Sequence, residues 1–494
     1  MQKFKCYIFF LLLLFTGISL RAQSDMASAT TAVNPSRLNT NSAVDTFFVN
    51  HHIEDLKDSI LVIRKILIEG NKTTRRVIML RELPFKEGDT IQARDLPEIF
   101  KIGQKQLMNL QLFHNASLDI VSVEANTVDL KITVKERWYL FPLPYFKPVD
   151  RNLNQWLFEK GASVSRLDYG VKVLWGNVTR NNDKLNFYFV TGYTKQLLIS
   201  YRRPFIDKGM RWGAKIDLAL GKNREINYNT IDDKQAFLKN GDYLKNFFRS
   251  NLEITYRKEL YTKHAFGLGY QTLNVKDTVL KLNPNYLFNG ETSIGYPTIY
   301  YTLSYQNLDY IPYPTKGYTG EVHISKQGFN KDMNLWQLRA KGMGSWHLWR
   351  NSFYNIGVLG AIKLPFHQPF YNKQLLGYGD MFLRGYEYYV VDGVAGGLIN
   401  ASLVQRLTNF SFHIPRTKWL TPRLIPLKIY GKIFGNMGYV YDPDPSPNRL
   451  PRKLLFGGGI GLDIFTMYDF TLNVEFSFNQ LGQNGLYLHK KDMF

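Results

Sequence analysis

From about residue 140 to the end of the chain, apolar and polar residues alternate in short runs and no long helical period persists. The clearest run is Phe470-Thr471-Leu472-Asn473-Val474-Glu475-Phe476-Ser477-Phe478-Asn479. One face of it is Phe, Leu, Val, Phe, Phe; the other is Thr, Asn, Glu, Ser, Asn. Successive strand side chains point to opposite faces, so this run is a strand with one bulky apolar surface and one wet surface. Residues 185–189, 264–270, 298–305, 317–324 and 354–362 follow the same form. A strand of a soluble sandwich also alternates. A uniformly bulky face opposite a wet one suits lipid outside and a polar lumen inside. About 350 residues at ~20–22 per strand and connection give roughly 16 antiparallel strands, and an even number returns the chain end beside its start. The last strand is expected at residues 485–494.

Residues 59–137 carry a different pattern. Residues 61–71 read as a strand ending in a Gly70-Asn71 turn. Thr73 or Thr74 caps a helix through Val77, Ile78 and Leu80, broken by Pro84, and Gly88-Asp89 makes a turn. Leu96, Ile99, Ile102, Leu107 and Leu110 recur at helical spacing. Strands at 116–123 and 127–134 close the unit. Strand, helix, helix, strand, strand is an α+β module of ~75 residues, enough to fold alone.

The N-terminus reads as an export signal over residues 1–23. Lys3 and Lys5 precede the apolar run Tyr7 to Phe15, and cleavage is expected near Ala22. Residues 24–58 are rich in Ser, Thr, Ala and Asn and are expected to form a disordered periplasmic tether. His51-His52 lies there without further ligands and is read as solvated, not metal-binding. The single cysteine, Cys6, precedes the apolar core of the leader. It is not placed for lipid attachment, and the mature chain has no disulfide or thiolate chemistry.

Composition narrows the class. The chain has 31 Tyr, 34 Phe and 38 Gly, a mixture suited to a barrel with aromatic girdles. Mean hydropathy is −0.25, and no run of about 20 apolar residues follows the leader, so helical spans are excluded. The formal net charge is +21, yet no zinc-ligand spacing, basic helix or other nucleic-acid module appears. No nucleic-acid partner is expected. The cations are assigned to loops, to lipid head groups and to a wet lumen. There is no Gly-x-Ser-x-Gly, no His-Glu-x-x-His and no phosphate-cradling loop, so the chain is read as no enzyme, with no cofactor and no metal.

Several motifs resemble known domains. Ile66-x-Ile68-x-Gly70-Asn71-x-Thr73, Arg81-Glu82-Leu83, Gly88-Asp89, Leu110-x-Leu112-Phe113 and Val128-x-Leu130-x-Ile132-x-Val134-x-Glu136 together resemble a POTRA domain. That resemblance implies a periplasmic module with an exposed sheet edge able to pair with an extended client. Asn307 to Tyr318, with Pro314-Thr315-Lys316-Gly317, resembles a strand-joining turn of the BamA/TamA outer-membrane family. Leu383-Arg384-Gly385-Tyr386 resembles the Arg-Gly motif in the long sixth extracellular loop of that family. Such a loop folds back into the lumen, and its Arg contacts acidic or polar groups on late strands. The terminal Phe494 resembles the recognition signal for barrel assembly.

An Arg inside a barrel needs acceptors, because its charge cannot be removed. Along residues 456–465, Asp463 shares a face with Gly457, Gly459 and Gly461 and is expected to face the lumen, as is Glu475. Arg384 to Asp463 is the expected locking contact, with Glu475 the second choice. Asn436 stands where the family pattern has Asp; it accepts a hydrogen bond but brings no charge. A single POTRA is a second departure, which puts accessory lipoproteins in question. Residues 136–146, with two prolines, are read as a stiff extended connection that seats aromatic rings at the inner boundary of the membrane.

The resemblance implies a POTRA-like domain (59–137) and an all-β transmembrane barrel (138–494) in the outer membrane. Its partners would be outer-membrane lipids and unfolded outer-membrane or secreted polypeptides. The expected function is assembly and insertion of such clients at a lateral seam. The alternatives are a secretion pore for one polypeptide and a structural surface antigen.

Overall fold

The computed structural model of the protein describes residues 59–149, 156–157, 161–413, 424–445 and 447–490. The expected signal peptide, the tether and Phe494 lie outside the described residues.

The first unit follows the sequence pattern except that Arg75, not Thr73 or Thr74, stands at the N-cap of its first helix and a short extra strand precedes the second helix. β1 (Ile60–Glu69) is followed by the short helix α1 (Arg76–Leu80), β2 (Thr90–Gln92), α2 (Leu96–Asn109), β3 (Phe113–Glu124) and β4 (Thr127–Glu136). The sheet order is β2-β1-β4-β3, with β1 parallel to β4. Leu61, Ile63 and Ile66 of β1, Leu107 of α2, Phe113 and Val128 are fully buried. Each contributes roughly 1.5–3 kcal/mol of hydrophobic stabilisation. Gly70 follows β1 at φ +87, and Gly88 sits at φ +91 in the turn before β2. Asn71 donates to the Thr74 carbonyl at 3.1 Å, and the Asp89 carboxylate accepts the Lys86 N–H at 2.9 Å. Leu112 and Phe113 are core residues.

Sixteen antiparallel strands follow in one sheet, in chain order apart from one excursion. They are β5 (Leu140–Pro148), β6 (Leu167–Gly176), β7 (Lys184–Gly192), β8 (Thr194–Arg203), β9 (Trp212–Asn223), β12 (Lys245–Tyr256), β13 (Thr262–Val275), β14 (Ser293–Leu308), β15 (Gly317–Gln327), β16 (Leu335–His347), β17 (Ser352–Leu364), β18 (Ala395–His413), β19 (Leu424–Tyr441), β20 (Leu454–Thr466), β21 (Thr471–Asn479) and β22 (Asn484–Lys490). The excursion is the separate hairpin β10 (Glu225–Ile231) and β11 (Lys234–Lys239). No described helix is long and apolar enough to cross a membrane.

Burial is inverted relative to a soluble protein. Phe456, Ile460, Phe476 and Phe478 are exposed, whereas Asp463, Asn473, Glu475 and Ser477 are buried on the inner face. That is the pattern of a lipid-facing belt around a polar interior.

The fold corrects the reading of the joint segment. Residues 140–148 are not a connection but the first strand, paired with β6 from Leu140↔Trp175 to Pro148↔Leu167. Pro142, Pro144 and Pro148 weaken any strand signal, since proline gives no N–H to a ladder. They are tolerated because β5 lies at the end of the sheet. The last strand is described from Asn484 to Lys490. Among the described residues no ladder joins β22 back to β5.

The POTRA-like unit is bonded to the barrel turns on the side where β5 begins. Glu82, almost fully buried, accepts two bonds from Arg257 at 2.6 and 2.7 Å. Lys105 donates to Asn307 at 2.5 Å, and Asn109 bridges the Leu308 carbonyl and the Ile311 N–H. At the foot of β5, Arg137 donates to Phe113 O at 2.7 Å and to Asp469 at 2.6 Å. Asp469 lies in the turn between β20 and β21, and the neighbouring Tyr468 ring packs on Phe141 at 5.0 Å.

Candidate functional site

The site is built by the segment between β17 and β18, residues 365–394, against the inner faces of β19 to β22. Leu383 and Tyr386 are buried in an apolar cluster with Leu375, Leu376, Met381, Val391 and Val440. This cluster holds the loop inside the barrel. Gly385 has φ +92, and a Cβ there would lie 2.7 Å from the Phe478 carbonyl oxygen. On the neighbouring strand a Cβ at Gly457 would lie 2.3 Å from the Arg384 carbonyl oxygen. Both positions need glycine, because the loop backbone runs directly against β20 and β21. Asn479 donates to Gly385 O at 2.6 Å, and Tyr386 donates to Phe456 O at 3.2 Å.

Arg384 donates through Nε and Nη2 to Asn436 Oδ1 at 3.0 and 2.8 Å. Its guanidinium stacks 3.9 Å from the Phe434 ring centre, and Nη1 lies 3.7 Å from Glu475. No ion pair joins Arg384 to Asp463 among the described residues. This departs from the contact that strand parity favours. Asp463 is taken instead by Lys432 Nζ at 2.5 Å and by the Tyr313 hydroxyl at 2.9 Å. Lys432 also reaches Glu475 at 2.5 Å. Lys432, Asp463 and Glu475 are each 2–3 % exposed, so the lumen holds a dry cation between two carboxylates.

Glu387, fully buried, and Glu475 both approach His489 of the last strand, at 3.5 and 3.7 Å. The loop is thus bonded to β19, β20 and β21 and lies against β22. At its outer end, burial pushes the Asp392 carboxyl up to about 6, against the pull of the Thr230 and Tyr378 hydroxyls and Lys363.

Sequence reasoning missed Lys432. Tyr430, Lys432, Phe434 and Asn436 share one face of β19, so the parity that places Asp463 inward also places Lys432 inward. His489 was accessible to the same argument on β22. Among the described residues no group of His, Cys, Asp and Glu is arranged to hold a metal ion. What the site can do is mechanical: it fixes a loop across the lumen through charged and polar contacts.

Asn436→Asp is expected to tighten that hold. The bond is already charge-assisted through the guanidinium; Asp makes it a buried ion pair but gives up the bond from Asn436 Nδ2 to the Arg384 carbonyl at 3.3 Å, so the net gain is about 1 kcal/mol. Protease cleavage within residues 365–394 should slow. Faster cleavage would show that Asn436 is not the main anchor.

Residues 61–137 match the family model of the POTRA domain, described as a surface antigen variable number repeat. Residues 166–466 match the Omp85 superfamily domain. Among solved structures, CdiB from Escherichia coli aligns with a TM-score of 0.51 at 11% identity, covering 88% of this chain and 75% of that one; the likeness is one of fold. BamA from Haemophilus ducreyi lacking POTRA domains 1–3 aligns with a TM-score of 0.48 at 13% identity, covering 94% and 93%. A stretch of 149 residues is 32% identical to the probable hydrolase YhcX of Bacillus subtilis, spanning 29% of this chain and only 25% of that protein. That partial stretch does not establish catalysis.

Proposed function

The chain belongs to the Omp85 superfamily, with its barrel in the outer membrane and its POTRA domain in the periplasm, and on that premise we propose that it assembles other polypeptides into this membrane. Unfolded clients reach the POTRA domain on the periplasmic side and are added as strands at the barrel seam. The observation that carries this reading is the seam between the first and last strands. β5 and β22 lie at the two ends of the sixteen-strand sheet and share no ladder among the described residues. A line of the sheet that no described ladder closes is where strands part at the least cost, and so where a partner strand can be received. The energy comes from client folding, without a nucleotide. The lumen, in contrast, holds the loop bonded to β19–β21, which favours lateral addition over passage through a pore.

Locking the seam tests the proposal. A cysteine at Tyr145 is paired in turn with one at Leu486, Tyr487 or Leu488, in a mature sequence free of other thiols. Disulfide formation is expected to deplete outer-membrane proteins, and a reducing agent is expected to restore them. Normal outer-membrane protein content with a locked seam would sink the assembly reading.

A further inference from the structure

At the barrel end away from the POTRA domain, β8 begins and β9 ends with a lysine facing a lysine, Lys195↔Lys222. Both are exposed. Leu197↔Leu220 and Ile199↔Leu218 follow on the same face. Leu218 and Leu220 are exposed, and so is Phe248, the β12 partner of Leu220. The opposite face of these strands is the polar interior, where Ser200 donates to Asp217 at 2.6 Å. The two lysines therefore stand on the lipid side, two residues or about 7 Å beyond the apolar belt.

Arg224, just after β9, completes a triangle of cations. The Tyr243 ring, between β11 and β12, has its centre 5.8 Å from Lys195 Nζ, 6.0 Å from Lys222 Nζ and 5.2 Å from the Arg224 guanidinium. Among the described residues no carboxylate, Asp242 beside Tyr243 included, makes an ion pair with any of the three. Glu225, next to Arg224 in sequence, is taken by Arg166 at 2.9 Å and by the Tyr193 hydroxyl. Burial raises the Tyr243 phenol, yet Lys195 and Arg224 outweigh it and hold that phenol below its ordinary value. Like charges directly opposite on neighbouring strands are destabilising. The contrast is Lys326, at the same end of β15, which is a single cation over the Phe329 and Trp336 rings and donates to Asn334.

We propose that Lys195, Lys222 and Arg224 bind the phosphate of an outer-leaflet lipid whose acyl chains lie over Leu218, Leu220 and Phe248. Phosphate oxygens accept from both ammonium groups and from the guanidinium, and the anion removes the repulsion between the paired lysines. A free phosphate satisfies the cations but leaves the apolar strip beneath them unused. Charge set directly beyond an exposed apolar strip fits an amphiphile at the membrane border. This site depends on the barrel's place in the outer membrane and not on the assembly reading.

The test is native mass spectrometry of the full-length protein in a non-ionic detergent. The probes are diphosphoryl lipid A, the same lipid after removal of both phosphates, and inorganic phosphate. The wild type is expected to hold one diphosphoryl lipid tightly. K195Q/K222Q/R224Q should weaken it about a hundredfold, at roughly fivefold for each cation near an anionic headgroup. The dephosphorylated lipid should bind the wild type as weakly as the phosphorylated one binds the triple variant. K326Q should leave binding unchanged. Equal affinity in the triple variant and the wild type, or an equal loss in K326Q, overturns the proposal. Inorganic phosphate held as tightly as the lipid would make this a free-anion site and overturn the lipid assignment. If the triple variant lacks the heat-dependent gel shift of a folded barrel, K222Q carries the same test at about fivefold.

Discussion

Lys432→Met will destabilise the lumen more than any change at the loop motif itself. The ammonium lies 2.5 Å from both Asp463 and Glu475, and all three groups are nearly dry. Removing one partner of a buried ion pair costs about 3–5 kcal/mol, because the uncompensated charge stays in a poor solvent. Here two carboxylates are left, with Arg384 near only one of them at 3.7 Å. Arg384→Gln should cost less, about 2 kcal/mol, since its shortest bonds go to the neutral Asn436. Protease cleavage within residues 365–394 and the heat-dependent gel shift of the folded barrel measure both. Adding Asp463→Asn to Lys432→Met should recover part of the loss, since Glu475 then keeps Arg384 as its cation and no second carboxylate stands without one. A larger loss from Arg384→Gln than from Lys432→Met would show that the stacked Arg carries the loop.

At the periplasmic face the corresponding expectation concerns Arg257→Ala. Glu82 is almost fully buried and takes both of its strong bonds from Arg257. Arg257 is partly exposed, so the loss falls near the lower end for buried pairs, about 3 kcal/mol. That free energy corresponds to on the order of a hundredfold faster hydrogen exchange in α1 and the Glu82 turn, if local opening governs exchange there. Unchanged exchange would assign the docking of the POTRA domain to the Lys105 and Asn109 contacts instead.

Period-2 alternation made the barrel legible, and the 470–479 run gave both the strand and its wet face. The POTRA-like unit was legible from its switch between strand and helix periods. Parity assigns Asp463 and Glu475 to the interior, where the structure has both. The partner of Arg384 was not legible, because which acid meets which cation depends on register across three strands. Gly461 of β20 lies between Lys432 and Glu475, and that alignment brings both acids onto one lysine. The first strand was missed for a different reason. Its prolines argue against a strand wherever both edges must pair, and sequence alone does not say that one edge of β5 carries no ladder among the described residues. The β10–β11 hairpin left no signal distinct from the alternation around it.

The contacts at the foot of β5 also set how the gap can widen. Arg137 and Phe141 on one side hold Asp469 and Tyr468 on the other, so the two borders share a pivot at their periplasmic ends. Separation is then an angular motion, like scissors blades, and not a parallel withdrawal. A seven-residue strand spans about 23 Å at about 3.3 Å per residue, so about 12° of rotation opens its far end by the ~4.8 Å spacing of one added strand. On the proposed lateral route, room for a new strand would open first at the outer leaflet, and the pivot would set the angle at which that strand enters.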